Sequence, residues 1–295
     1  MKILIYANCQ TKQIATTLQF CLLGRSTLIA AVDANTQDSS NQLRRASEEH
    51  KFDLVITNLD ASDIEQFFDR DTIVEIPDIH FGGFHPDVVY FCLATDPTQP
   101  QFFLKNPTVS ALALWGHMNN LPQAKVAELY NEQVFEELGY MDYFDISCDA
   151  LYKSFENLSI NPRVLDRHIS SREVFMYGPL HPKLEVTMSL CFGLLEKLGI
   201  PSSQSYDSLH KLLPDPLQAE YAWACFPPLA DRLGVSGSWL IRHWDQTFPT
   251  VEAYLHTLQN HLTTAYPQGS LQMFERDRLR FDDFHQVDKV LEAYL

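Results

Sequence analysis

Asn8-Cys9-Gln10 sets a thiol between two amide side chains, directly after the apolar run Lys2 to Ala7 and ahead of Ile14, Leu18 and Leu22 at four-residue spacing. A cysteine where a buried strand gives way to a helix faces the positive end of the helix dipole, which favours the thiolate and places Cys9 as a nucleophile. Asn8 and Gln10 are poor core fillers, because each must satisfy a carbonyl and an NH2 group, but they suit hydrogen bonding to a reacting carbonyl. The competing structural readings are a strand-end cysteine that only packs and an asparagine that caps the helix.

A second cluster runs from Ile76 to Asp87, with His80, His85, Asp78 and Asp87 as acid/base groups and Gly82-Gly83 as freely turning backbone. His85 is the first candidate for a general base, with Asp87 or Asp78 to orient it; the bland alternative is a polar loop with solvated histidines. A second His-Pro pair, His181-Pro182, follows an expected strand as His85-Pro86 does, so that one histidine serves as base and the other contacts a ligand. By itself the pair is also an ordinary helix start. The other cysteines, Cys21, Cys92, Cys148, Cys191 and Cys225, form no C-x-x-C pair and no cluster with histidine, so no metal site is expected.

The elements that must position these groups read as an alternation. Strands are expected at Lys2 to Ala7, Thr27 to Val32, Asp53 to Thr57 and Thr72 to Ile76, with helices after Cys9 and at Gln42 to His50 and Ser62 to Phe68. That pattern predicts an α/β fold with a mostly parallel sheet flanked by helices, open and Rossmann-like or SGNH-like. Ligands of such sheets sit beyond the carboxyl ends of the strands, which would gather Asn8 to Gln10, Asn58 to Asp60 and Pro77 to Pro86 on one rim. Further helices are expected at Val109 to Met118, Gln123 to Leu138, Asp149 to Phe155, Arg163 to Ile169, Pro249 to Leu262 and Asp282 to Leu295. A strand is expected at Arg172 to Tyr177, Trp239 to Trp244 lies between helical segments, and a helix opening at His181-Pro182 carries Val186, Leu190, Leu194 and Leu198 to a stop at Gly199. The division expected is an α/β domain over residues 1–180 carrying Cys9 and a mainly helical region over 181–295.

Composition narrows the function. The 295 residues hold 22 Lys and Arg against 38 Asp and Glu, a net charge of -16, so the overall field repels polyanions and argues against nucleic acid as partner. An anionic small molecule would need a local site of helix N-terminus and nearby basic side chains. The opening Met-Lys-Ile-Leu-Ile-Tyr has no secretory-signal pattern, and no apolar run approaches the roughly 18 residues of a membrane span. A cytoplasmic protein is expected.

Ile5-Tyr6-Ala7-Asn8-Cys9-Gln10, the stretch from Ile76-Pro77 to His85-Pro86-Asp87, and His181-Pro182 before a helix together resemble the WcbI-type acetyltransferases of polysaccharide biosynthesis, over roughly residues 1 to 200. That family shows Gly-Asn-Cys-Gln, and this chain has Ala7 in the glycine position, adding a methyl group beside the site. The resemblance implies an α/β fold, binding of coenzyme A or acetyl-CoA, and acyl transfer to a sugar hydroxyl in capsule or exopolysaccharide assembly. It carries functional roles onto Cys9, Gln10, His85 and His181. Asn8, Lys12, Arg167, Arg172 and Lys183 are the candidates for holding the coenzyme and its phosphates. In that chemistry His85 takes a proton from the hydroxyl while Gln10 or the amides opening the first helix stabilise the oxyanion, or Cys9 itself takes the acyl group. An esterase using the same site and a non-catalytic ligand-binding protein are the alternatives.

Overall fold

The computed structural model describes residues 1–267, 269–282 and 286–294. The chain forms two compact units: the first comprises Met1–His80, Asp149–Ser171 and Leu180–Ala219, and the second Phe81–Cys148, Arg172–Pro179 and Glu220–Leu295.

In the first unit, β1 (Lys2–Ala7), β2 (Leu28–Asp33), β3 (Leu54–Thr57) and β4 (Ile73–Glu75) form a parallel sheet in the order β2-β1-β3-β4. β1 is central and buried from Ile3 to Ala7, as a run of apolar side chains on both faces requires. Leu4 and Tyr6 point to one face, where Val32, Leu43, Phe52, Val55, Ile64 and Ile73 complete a core. The helices α1 (Thr11–Cys21) and α2 (Ser39–Glu49) flank the sheet, and α3 (Leu184–Lys197) packs on α1. Gly199, at φ 65°, follows the end of α3 in the left-handed conformation that glycine adopts without steric cost.

The second unit is antiparallel. Val88–Leu93 pairs with Asp96–Pro100, Thr108–Ser110 and Leu271–Met273, and Tyr221–Trp223, Ile241–His243 and Gln246–Phe248 form a three-stranded meander. Its core is aromatic, with Phe103, Trp223, His243 and Phe248 around Tyr254. Among the described residues, no helix is long and apolar enough to cross a membrane.

Several expected elements differ. Ser62 to Phe68 is not a helix: Asp60 caps a single 3-10 turn at Ala61–Asp63, and Ile64 turns inward to the core instead of extending it. Gln123 to Leu138 is broken in two, Gln123–Glu128 and Glu132–Glu137, because Asn131 leaves helical geometry to accept from the Val134 amide. Trp239 to Trp244 contains the strand Ile241–His243, and Arg172 to Tyr177 narrows to Met176–Gly178. The helix after His181-Pro182 begins only at Leu184. Of Asp282 to Leu295, Val287–Leu291 is helical, while residues 283–285 and 295 lie outside the described residues.

Candidate active site around Cys9

The carboxyl ends of β1 and β3 and the segment after β4 meet in one polar network. The Asn8 amide donates to Asn58 Oδ1 (3.1 Å) and Asn58 Nδ2 donates back to Asn8 Oδ1 (3.0 Å), a reciprocal pair that locks the two neighbouring strand ends. Asn8 Nδ2 donates to Asp78 Oδ1 at 2.8 Å, and the same oxygen accepts from Gln10 Nε2 at 3.0 Å and Asn58 Nδ2 at 3.4 Å. Asn8 Oδ1 also takes the Gln10 amide at 3.0 Å, turning the chain from strand to helix.

Cys9 sits at that turn, two residues before α1. Of the described cysteines it alone is half-exposed, and the other five are buried. Its sulfur lies 3.7 Å from the Leu180 carbonyl oxygen and 3.9 Å from Asn8 Oδ1. Burial drives the thiols of Cys191 and Cys225 well above the usual range, to about 12 for Cys225, so these are chemically inert. The first turn of α1 directs its backbone amides toward the Cys9 end, where a developing negative charge is favoured.

Gln10 is fully buried. Its Nε2 faces three acceptors, Asp78 Oδ1, the Ile79 carbonyl (3.2 Å) and the Leu180 carbonyl (3.4 Å), which fixes the amide's orientation and commits both of its hydrogens. One helical turn on, buried Gln13 donates to the Pro182 carbonyl at 3.0 Å and Asp215 Oδ1 at 2.8 Å and accepts from Thr187 at 2.8 Å. The Leu180–Pro182 segment is thus held along α1, with His181 between two clasped carbonyls. His181 is buried, and desolvation pushes its pKa down to about 3, so the imidazole is neutral at physiological pH.

The remaining sequence candidates fall as follows. Lys12 is exposed in the first turn of α1, and Lys183 is the N-cap residue of α3. Arg167 stacks on the Tyr206 ring at 4.0 Å and pairs with Asp207 at 3.8 Å. Arg172 and His85 belong to the second unit. His85 is buried there, its Nε2 2.8 Å from the Trp223 carbonyl. A carbonyl only accepts, so Nε2 carries the proton and Nδ1 is the basic atom. Asp87 is not free to orient a histidine through Oδ1, which accepts from the Leu112 amide and the Tyr140 hydroxyl, both at 3.1 Å. His85, Asp87, Tyr140, Trp223 and Phe226 line a cavity leaving about 10 Å³ for the centre of a water, room for roughly one molecule.

Sequence reasoning misses Gln13 and Asp215, reaches Asn58 only as part of the rim, and sets Asp78 beside His85 instead of with Asn8 and Gln10. Asn58 carries a usable signal, since it follows β3 as Asn8 follows β1. Asp215 carries none beyond the turn propensity of Pro-Asp-Pro.

A parallel sheet whose strand ends converge on one accessible thiol and a set of fixed amides is the architecture of an α/β enzyme. The chain belongs to the WcbI family of polysaccharide biosynthesis enzymes, whose model matches residues 2–203. No curated protein matches the sequence. Among solved structures it is similar in fold to one of WcbI, with a TM-score of 0.66 at 16% identity over 99% of this chain and 97% of that one. That structure is described as a novel polysaccharide biosynthesis enzyme, the native protein without a disulfide bond between coenzyme A and one of its cysteines.

Proposed function

We propose that this polysaccharide biosynthesis enzyme is an acyltransferase that moves an acetyl group from acetyl-CoA to a sugar hydroxyl, in capsule or exopolysaccharide assembly, at Cys9. The observation that carries this reading is the half-exposed Cys9 sulfur at the head of α1, in a setting where Asn8, Gln10, Asn58 and Asp78 are already bonded to one another. The description of the WcbI structure as one without a disulfide bond between coenzyme A and one of its cysteines supports a donor whose sulfur approaches a cysteine, which we take to correspond to Cys9.

Cys9 attacks the thioester carbonyl, the acyl carbon–sulfur bond of the donor breaks, and coenzyme A leaves as the thiol with the proton that Cys9 gives up. The acceptor hydroxyl then attacks the Cys9 thioester, its oxygen forming the ester as the bond to Sγ breaks and the proton returns to the thiolate. With both Gln10 hydrogens committed, and the Thr11 N–H bonded to the Asn8 carbonyl, we assign oxyanion stabilisation to the backbone amides of the first turn of α1 beyond Thr11, and to Gln10 the placing of the turn. His85, through Nδ1, is the base assigned to the acceptor hydroxyl, and neutral His181 a hydrogen-bonding contact. Asn8, Lys12, Arg167, Arg172 and Lys183 are the groups assigned to the donor.

Incubation with acetyl-CoA alone, followed by intact-protein mass analysis, should show one acetyl group on Cys9 that is lost on adding a saccharide acceptor, with formation of a sugar ester. Release of free acetate whatever sugar is present would make the protein a hydrolase, and wild-type transfer by the Cys9→Ala protein would remove Cys9 from the chemistry.

A further inference from the structure

His181 lies far in sequence from Cys9, and its segment is held through the backbone carbonyls on either side of it. Two glutamines three residues apart, Gln10 at the N-cap of α1 and Gln13 in its first turn, clasp these carbonyls: Gln10 takes that of Leu180 and Gln13 that of Pro182. Gln13 could rotate its amide and lose the second clasp were it not bound at both ends. Thr187 donates to its Oε1, and Asp215 Oδ1 accepts from its Nε2. Asp215 does more than this. Its Oδ2 accepts from the Leu184 amide at 2.8 Å, which opens α3 directly after the segment, and its Oδ1 accepts from the Leu217 amide at 3.0 Å.

We propose that Asp215, which lies beyond the residues matched by the family model, is a positioning residue of the Cys9 site: through Gln13 and the start of α3 it fixes the Leu180–Pro182 segment beside the thiol. The inference rests on Cys9 being the reactive centre, but not on the identity of the group transferred. Both carboxylate oxygens act as acceptors from three N–H donors, so an amide cannot replace them. In either orientation of an asparagine side chain at this position, its NH2 would face Leu184 N–H, or else Gln13 Nε2 and Leu217 N–H, donor against donor.

The test is Asp215→Asn, read first by the rate of Cys9 alkylation by iodoacetamide as a function of pH, with the modified residue identified by peptide mapping. The Leu180 carbonyl, 3.7 Å from Sγ, accepts from the protonated thiol and opposes its ionisation. Loosening the segment removes that acceptor, so the alkylation midpoint should move to lower pH by about half a unit or more. Turnover should fall by about tenfold or more through kcat, with KM for the acyl donor little changed. Thr187→Val, which frees the other end of Gln13, should act in the same direction and keeps the test decisive if Asp215→Asn does not fold. A merely structural role would lower thermal stability and leave the alkylation profile where it is. A folded variant with a wild-type profile and wild-type kcat would overturn the proposal. A shifted profile in a protein that transfers no acyl group would uphold the positioning role while removing the acyltransferase reading.

Discussion

Replacing Asp87 by Asn should stabilise the protein at neutral pH and leave it unchanged in acid. Asp87 is 2% exposed, and its Oδ2 has no hydrogen-bond partner among the described residues. Burial raises its pKa from 3.8 to about 6, against the opposing pull of Ser110, the Leu112 amide, Tyr140 and Arg280. A folded pKa above the unfolded one means that the native state holds the extra proton between those two values. The stabilisation by that proton is complete below pH 3.8 and is lost as pH rises through 6. Converted at 1.36 kcal/mol per pKa unit, the loss is on the order of 3 kcal/mol at neutral pH. Asn keeps an oxygen for Leu112 and Tyr140 and carries no charge, but brings an NH2 where the carboxylate has a bare oxygen, which returns about 1 kcal/mol. The expected net gain is therefore roughly 2 kcal/mol at about pH 7.5, falling to zero or slightly below at about pH 4. Urea denaturation of both proteins at a series of pH values measures it. A stability difference that stays constant from about pH 4 to about pH 8 would show that Asp87 ionises normally and refute the reasoning.

The buried histidines should work in the opposite sense. Burial pushes His168 and His243 down to about 4 and His181 to about 3, so each binds its proton only in the unfolded chain between there and about 6.5, and stability should drop by a few kcal/mol per histidine as pH falls through that window, as acid titration of the unfolding midpoint will show. Cys191→Ala, at a fully buried position facing Ile14, should cost about 1–2 kcal/mol in denaturation with turnover retained, whereas Cys9→Ala should keep the stability and abolish transfer. Asn58→Ala removes both halves of the reciprocal pair with Asn8, and should lower stability by about 1–3 kcal/mol while altering the alkylation rate of Cys9. Calorimetry should detect coenzyme A binding that weakens with added salt, because phosphate contacts near the surface are screened over about 8 Å at physiological ionic strength; absence of binding at millimolar ligand and low salt would sink the acyl-CoA reading.

What the sequence made legible follows from the range of the interactions involved. β1, α1 and α3 announce themselves because a buried strand needs a continuous apolar run and a packed helix a four-residue stripe, and both signals are local. The rim was legible at one remove: parallel strands end on the same edge, so Asn8, Asn58 and Asp78 had to be neighbours wherever the helices lay. The antiparallel unit left weak traces, since strands of three residues are too short to show alternation, and exposed Asp96–Pro100 has the composition of a loop. Least legible were groups that act by satisfying another polar group. Nothing local to Gln13 or Asp215 distinguishes a solvated side chain from one that holds a carbonyl 169 residues away in sequence. The same physics governs the two acidic residues of the His85 stretch. Asp78 and Asp87 are alike in sequence, but one gathers the amides around Cys9 and the other is buried against Leu112 and Tyr140, and it is the donors that the fold brings to each carboxylate that separate their roles.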